Sequence, residues 1–200
     1  MAAGGLRPGL RRRSVPAGVG SGSDDLMATA GSALRPKHGT VATWRATLDR
    51  AVRSPIDVRP LRPDERDAWE PLWAGYLEFY EAVVSPEVTD TTWRRLHDPA
   101  EPMHVLGAFI DDRLVGIVHY LFHRTTWTIG DYCYLQDLFT AVDARGLGAG
   151  RALIEAVYER ASAAGATRVY WLTHESNATA RALYDSLADR PGFIQYRRIF

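Results

Sequence analysis

The 200-residue chain holds 24 basic and 24 acidic side chains, 46% hydrophobic residues and a single cysteine, Cys133, the composition of an ordinary globular protein. One thiol excludes an intramolecular disulfide and a Cys-rich zinc site, and no apolar run approaches the roughly 20 residues of a membrane-spanning helix. The balanced charge hides an asymmetry: residues 1–55 carry nine basic and three acidic groups, a net +6 against −6 for the rest, and an acidic body favours a cationic partner over nucleic acid.

Residues 1–54 are rich in Gly, Ser, Ala and Arg and hold no sustained apolar period. Such a segment cannot bury enough surface to offset its ordering entropy. It is read as a disordered or mis-called N-terminal extension, with Met27 a later start, ahead of a targeting peptide. The folded domain is expected over 55–200, in the cytoplasm.

Ile56 to Leu61 reads as a short strand. Asp64 is expected to cap a helix running to about Val83, with Trp69, Leu72, Trp73, Tyr76, Leu77 and Tyr80 at helical spacing and Pro71 in its early turns. Pro86 opens a second helix holding Trp93 and Leu96. Met103 to Ile110 and Arg113 to Phe122 form a hairpin about the turn Asp111-Asp112. His119 and His123 are read as strand-face residues, because a separation of four on a strand sets rings about 13 Å apart, too far for one metal.

Tyr132 to Thr140 is a third long strand, and Cys133 on it reads as a packed small side chain. A helix from about Gly148 to Ala164 follows, stopped by Gly165. Arg168 to Thr173 reads as a strand, Asn177 to about Asp189 as a helix, and Phe193 to Phe200 as a closing strand. The order implies an α/β fold with a mixed sheet.

The segment linking the third long strand to its helix carries the chemistry: Tyr134-Leu-Gln-Asp-Leu-Phe-Thr140, then Arg145-Gly-Leu-Gly-Ala-Gly-Arg151. Glycines at 146, 148 and 150 let backbone amides converge at the positive end of a helix, a cradle for phosphate. Arg145 and Arg151 add positive charge. A P-loop would need Gly-Lys-Ser/Thr, and Arg151-Ala152 stands there instead. The dinucleotide fingerprint would need Gly or Ala at the position of Arg151.

Arg145, Gly148 and Gly150 in the spacing Arg-x-x-Gly-x-Gly resemble motif A of the GNAT superfamily of N-acetyltransferases. Tyr134 to Phe139, and Trp171 to Tyr184, look like the fungal histone, polyamine and D-amino-acid acetyltransferase branch and its bacterial relatives. The resemblance covers about residues 56–200. It implies a mostly antiparallel mixed sheet flanked by helices, with a bulge in the 132–140 strand and a V-shaped splay beside it. It implies acetyl-CoA as acyl donor, with Leu138, Phe139 and Thr140 offering backbone groups to the pantetheine arm. Arg145, Gly146, Leu147, Gly148, Ala149, Gly150 and Arg151 would bind the pyrophosphate through main-chain amides. Asn177 would touch the cofactor arm, and Tyr184 would stand at the sulfur. Such domains often pair as homodimers, which is analogy alone.

Spacing gives Tyr184 independent support. It lies seven residues from Asn177, two helical turns on, and a phenol is protonated at neutral pH and able to donate to a leaving thiolate. A core tyrosine is the competing reading. The amine must also lose a proton, since an alkylammonium is mostly protonated at pH 7. Diamine acetyltransferases carry a glutamate where this chain has Gln136, which cannot act as a base. Asp137 is assigned that role, with His174 and Glu175 as alternatives. Asp137 is expected on the strand face of Leu135 and Phe139.

No Ser or Cys nucleophile has a supporting partner, so direct attack by the amine is expected, and no metal is called for. Tyr80, Glu81, Tyr132 and Gln136 are assigned to the acceptor, as aromatics and polar groups suited to a cationic amine. The acceptor is expected to be a small amine, polyamine or amino acid. The alternatives are a protein or histone lysine and, in another class, a non-catalytic acyl-CoA sensor.

Overall fold

The computed structural model describes residues 55–200, and the expectation for 1–54 lies outside them. Five strands form one sheet in sequence order: β1 (Asp57–Pro60), β2 (Met103–Ile110), β3 (Arg113–His123), β4 (Tyr132–Thr140) and β5 (Arg168–Tyr170). Every pairing is antiparallel except β4 with β5, which is parallel. The helices are α1 (Arg66–Phe79), α2 (Pro86–Arg95), α3 (Ala149–Ala163) and α4 (Ala178–Tyr184).

The hairpin forms as expected. Asp111 and Asp112 adopt φ of 48° and 61°, the left-handed pair of a two-residue turn whose twist matches the strands. α1 starts later than predicted. Pro63–Glu65 is a single 3₁₀ turn, and the residue that reaches back is Glu65: its carboxylate accepts from the Arg62 amide at 2.7 Å. Asp64 instead pairs with Arg62 at 3.2 Å. Pro71 lies inside α1, where it leaves the Asp67 carbonyl without an intrahelical donor.

α1 ends at Phe79 rather than near Val83, because Glu81 turns left-handed at φ 52°. The Glu81 amide donates to the Glu78 carbonyl at 3.0 Å and Ala82 to Leu77 at 2.9 Å, the paired bonds of a Schellman stop. Gly165 ends α3 the same way, at φ 72°. α2 opens on Pro86 with the Ser85 hydroxyl accepting from the Val88 amide.

Two cores lie on opposite faces of the sheet. Trp69, Leu72 and Trp73 of α1 join Trp93 of α2 over Val105, Phe109 and Ile117. Leu153, Ile154 and Val157 of α3 pack with Leu106, Val118, Tyr120, Cys133 and Leu135.

The expected closing strand does not form. Residues 193–200 carry no strand, and Phe193, Ile194, Tyr196, Ile199 and Phe200 are exposed. On an extended chain Ile194, Tyr196 and Phe200 would share one face with Arg198, and Phe193 and Ile199 the other with Gln195 and Arg197, so a charge interrupts each face. β5 is also shorter than expected, stopping at Tyr170, and α4 ends at Tyr184 with hydrogen-bonded turns continuing to Ala188.

Candidate active site

The register of β4 creates the opening. β4 pairs with β3 along nearly its whole length, from His123↔Tyr132 to Gly116↔Thr140. On its other edge it pairs with β5 only through Tyr132, Cys133 and Tyr134. From Leu135 to Thr140 that edge has no strand partner among the described residues, and the chain after Tyr170 diverges from it. This is the splay that the resemblance implied. Leu138 and Thr140 turn their backbone groups to that edge, available to an extended ligand, whereas Phe139, against the expectation, turns its own toward β3.

The bulge is also present, at Gln136. Tyr120 is opposite Leu135 and His119 is opposite Asp137, so Gln136 is the extra residue. A bulge shifts the alternation of faces by one. Leu135 therefore packs on the α3 side, whereas Phe139 packs on the α1 side and Asp137 meets His119 there. The expectation that Asp137 shares a face with Leu135 is corrected; it holds for Phe139.

Beyond β4 the chain makes a 3₁₀ turn at Val142–Ala144 and enters the glycine loop. Gly146 and Gly148 take φ of 76° and 102°, and Gly148 caps α3. A Cβ on Gly146 would meet nothing within 4 Å, so backbone conformation rather than space calls for glycine there. Among the described residues the amides of Gly146, Gly148, Ala149, Gly150 and Arg151 find no backbone acceptor. These donors at the start of a fifteen-residue helix suit a diphosphate. Leu147 is exposed, and its amide reaches Ala144 at 3.4 Å. Arg145 is exposed, 5.9 Å from the Phe139 ring centroid. The Arg151 guanidinium is engaged already, donating to Ser186 at 2.8 Å and lying 3.6 Å from Glu155.

α4 runs beside α3. Leu183 lies 3.5 Å from where a Gly150 Cβ would stand, and the Tyr158 hydroxyl donates to the Leu187 carbonyl at 3.1 Å. Tyr184 follows Leu183 at the end of α4. Its ring meets Trp171 edge-on at 5.3 Å. Burial, and after it the neighbouring Tyr80 phenol, push Tyr184 up to about 12. The Asn177 side chain caps α4, accepting from the Ala180 amide and donating to Thr173, both at 3.3 Å.

Asp137 faces a buried polar group, His119, which the sequence by itself marks only as a strand residue. His119 is 2% exposed. Its Nδ1 lies 3.0 Å from Asp137 Oδ2, and its Nε2 accepts from the Trp69 indole N–H at 2.9 Å. Tyr76 of α1 borders the same carboxylate; burial first, and Asp137 second, raise its pKa well above the ordinary phenol value. Tyr76 contacts Tyr80 with ring centroids 4.9 Å apart, and Tyr80 lies 6.1 Å from His174. Tyr80 thus lies between the Asp137 wall and Tyr184. Sequence spacing could not have joined His119 to Trp69, since 50 residues separate them.

The other predicted acceptor residues are dispersed. Glu81 is exposed at the helix stop. Gln136 is the exposed bulge residue. Tyr132 is buried five residues from Asp137, roughly 16 Å along a strand, beneath the Arg168 guanidinium at 4.4 Å. Glu175 is exposed, and its carboxylate lies 3.4 Å from Arg190. Cys133 is fully buried, and burial pushes its thiol up to about 11, away from nucleophilic thiolate chemistry. No group of three or more His, Cys, Asp or Glu side chains gathers as a metal site among the described residues.

An open strand edge that runs into a helix-capping glycine turn is the architecture of an acyltransferase class. The chain belongs to the acetyltransferase (GNAT) family, whose profile it matches over residues 66–188. It is 36% identical over 152 residues to the D-amino-acid N-acetyltransferase HPA3 of Saccharomyces cerevisiae, covering 75% of this chain and 94% of that one. It is 31% identical over 111 residues to the thialysine N-epsilon-acetyltransferase of Caenorhabditis elegans, covering 56% of this chain and 69% of that one. Among solved structures, the ribosomal-protein-alanine N-acetyltransferase of Brucella melitensis biovar Abortus superposes with a TM-score of 0.64 at 22% identity, over 73% of this chain and all of that one. The chain is accordingly an acyltransferase of the GNAT type, with acetyl-CoA as the family's acyl donor.

Proposed function

We propose that this enzyme transfers the acetyl group of acetyl-CoA to the primary amine of a small amino acid-like acceptor, within a catalytic domain spanning residues 55–200. One observation carries this reading: the unpaired stretch of β4 leads into the glycine turn, and Tyr80 adjoins both Tyr184 and Tyr76, the residue that borders Asp137. The amides of Gly146, Gly148, Ala149, Gly150 and Arg151 would hold the pyrophosphate, and the outward backbone groups of Leu138 and Thr140 the pantetheine arm.

Asp137 takes a proton from the acceptor ammonium. The freed nitrogen forms a bond to the acetyl carbon, the carbon–sulfur bond breaks, and the Tyr184 phenol protonates the departing sulfur. The second nitrogen proton, released as the amide forms, restores the phenol. The raised pKa of Tyr184 keeps its proton available throughout the neutral range. Tyr76, Tyr80 and Asp137 present π faces and a carboxylate to a cationic amine. The names of the two relatives, which act on D-amino acids and on thialysine, support an amino acid over a protein substrate.

The test is thiol release from acetyl-CoA with D-amino acids, thialysine, spermidine and a histone-tail peptide as acceptors. The free amino acids are expected to give the highest kcat/KM. Turnover confined to the histone peptide would overturn the acceptor class.

A further inference from the structure

Asp137 is held by a partner whose own state is fixed from behind. The indole N–H of Trp69 can only donate. It points at His119 Nε2 from 2.9 Å, so that nitrogen must present its lone pair. The ring proton then sits on Nδ1, which faces Asp137 Oδ2 at 3.0 Å. A doubly protonated imidazole would set two N–H donors against each other in a site where Trp69 is fully buried and His119 nearly so. The Trp73 ring, 5.4 Å from the imidazole centroid, further encloses it. The bulge at Gln136 is what turns Asp137 toward this pair, and α1 supplies the indole.

We propose that Trp69 and His119 are positioning residues for acetyl transfer: the indole locks the imidazole as its Nδ1–H tautomer, and that proton fixes Asp137 so that the acceptor's proton is taken on Oδ1. The proposal rests on the assignment of Asp137 as proton acceptor. The other groups facing this carboxylate are Tyr76 of α1 and Tyr134 of β4, and Tyr80 adjoins Tyr76. All three are phenols, which leaves His119 as the imidazole bonded to this carboxylate. Orientation by a donor on the second ring nitrogen is a general means of setting imidazole tautomers.

Trp69→Phe removes the indole donor and keeps an aromatic ring. Freed at Nε2, the imidazole can take a second proton, so the pH profile of kcat should depart from the parent's on the acid side. His119→Asn retains an N–H near the Nδ1 position and should keep about ten times the kcat of His119→Leu. KM for acetyl-CoA should stay within about twofold in all three. Assays use thialysine, D-lysine and spermidine as acceptors. Independently of any variant, nitrogen-15 NMR of the parent enzyme should report the His119 ring protonated at Nδ1 and bare at Nε2 at pH 7.

Observation of the Nε2–H tautomer or of an imidazolium overturns the proposal, as does a Trp69→Phe profile superimposable on the parent's. Asp137→Asn separates the two levels. If that variant turns over normally, the base assignment fails and the relay with it. If it is inactive while folded Trp69→Phe and His119→Leu behave as the parent, the relay alone fails.

Discussion

Phe139 packs its ring against the backbone of Gly75: a Cβ on Gly75 would stand 2.8 Å from its Cζ and 2.9 Å from its Cε1. This contact sets how closely α1 approaches the strand at the open edge. Helix propensity alone favours Gly75→Ala by about 1 kcal/mol, whereas overpacking costs about 1–3 kcal/mol. The ring has the Trp69–Trp73 core behind it and β4 beneath, so overpacking should win. We expect Gly75→Ala to lower the melting temperature and raise KM for acetyl-CoA, because a displaced Phe139 carries its backbone along. Thermal denaturation and initial-rate kinetics check this. A raised melting temperature would mean the ring moves aside freely.

Tyr184→Phe removes the proton donor and keeps the contact with Trp171. Loss of a general acid typically costs 10²–10⁴-fold, so kcat should fall about a hundredfold while acetyl-CoA affinity changes little. The sign of the pH effect follows from the protonated phenol being the active form. A pKa raised to about 12 leaves it almost wholly protonated to roughly pH 10, so the parent's kcat should show no loss of this acid between pH 8 and 10. A fall across that window that is absent in Tyr184→Phe would assign the group an ordinary phenol pKa.

Much of this site could be read before the structure, and what could not was non-local. Asp111-Asp112, Gly165 and the glycines at 146 and 148 act through their own backbone angles, which residue type reports directly. The limits of β4 followed from its Tyr, Leu and Phe content. The phase of β4 did not, because the bulge at Gln136 is defined by pairing with β3 and has no mark in the β4 sequence. The same is true of His119, whose role depends on Trp69 and Asp137 from other elements. The 193–200 segment differs in the opposite sense: its β-favouring residues suggest a strand, but Arg197 and Arg198 put a charge on each face.

Gly148→Ala tests the loop by conformation. At φ 102° a Cβ is strained by about 1 kcal/mol or more, although Ile56 leaves an ordinary 3.5 Å of room. The variant should bind acetyl-CoA several-fold more weakly in a calorimetric titration, since relieving the strain swings the amides away. Gly150→Ala, at ordinary helical angles and with Leu183 also at 3.5 Å, should unfold at the parent's temperature. Equal destabilisation of both would point to crowding as the cause.

Glu81→Gly should stabilise the fold. A glutamate held at φ 52° in the Schellman stop of α1 bears a left-handed cost of about 1 kcal/mol that glycine avoids. The expected gain in urea unfolding is about 0.5–1 kcal/mol, less whatever the extra chain entropy of glycine removes. A destabilised variant would show that the glutamate side chain contributes more than its backbone costs.

Glu65 couples β1 to the start of α1, and it should govern the acid limit of stability. Its carboxylate accepts from Arg59 Nη1 and Nη2 at 2.9 and 2.7 Å and from the Arg62 amide at 2.7 Å. Chiefly through the Arg59 hydrogen bonds, its pKa falls from 4.5 to about 2. A folded pKa below the unfolded one means that the folded protein binds fewer protons between the two values. The stabilisation is therefore complete above about pH 4.5 and is lost as the pH falls toward 2. Glu65→Gln should unfold at lower urea than the parent at pH 7, and the two midpoints should converge as the buffer is taken from pH 5 to pH 3. A gap that stays constant over that range would assign the contribution to packing and neutral hydrogen bonding, with the charge of Glu65 playing no part.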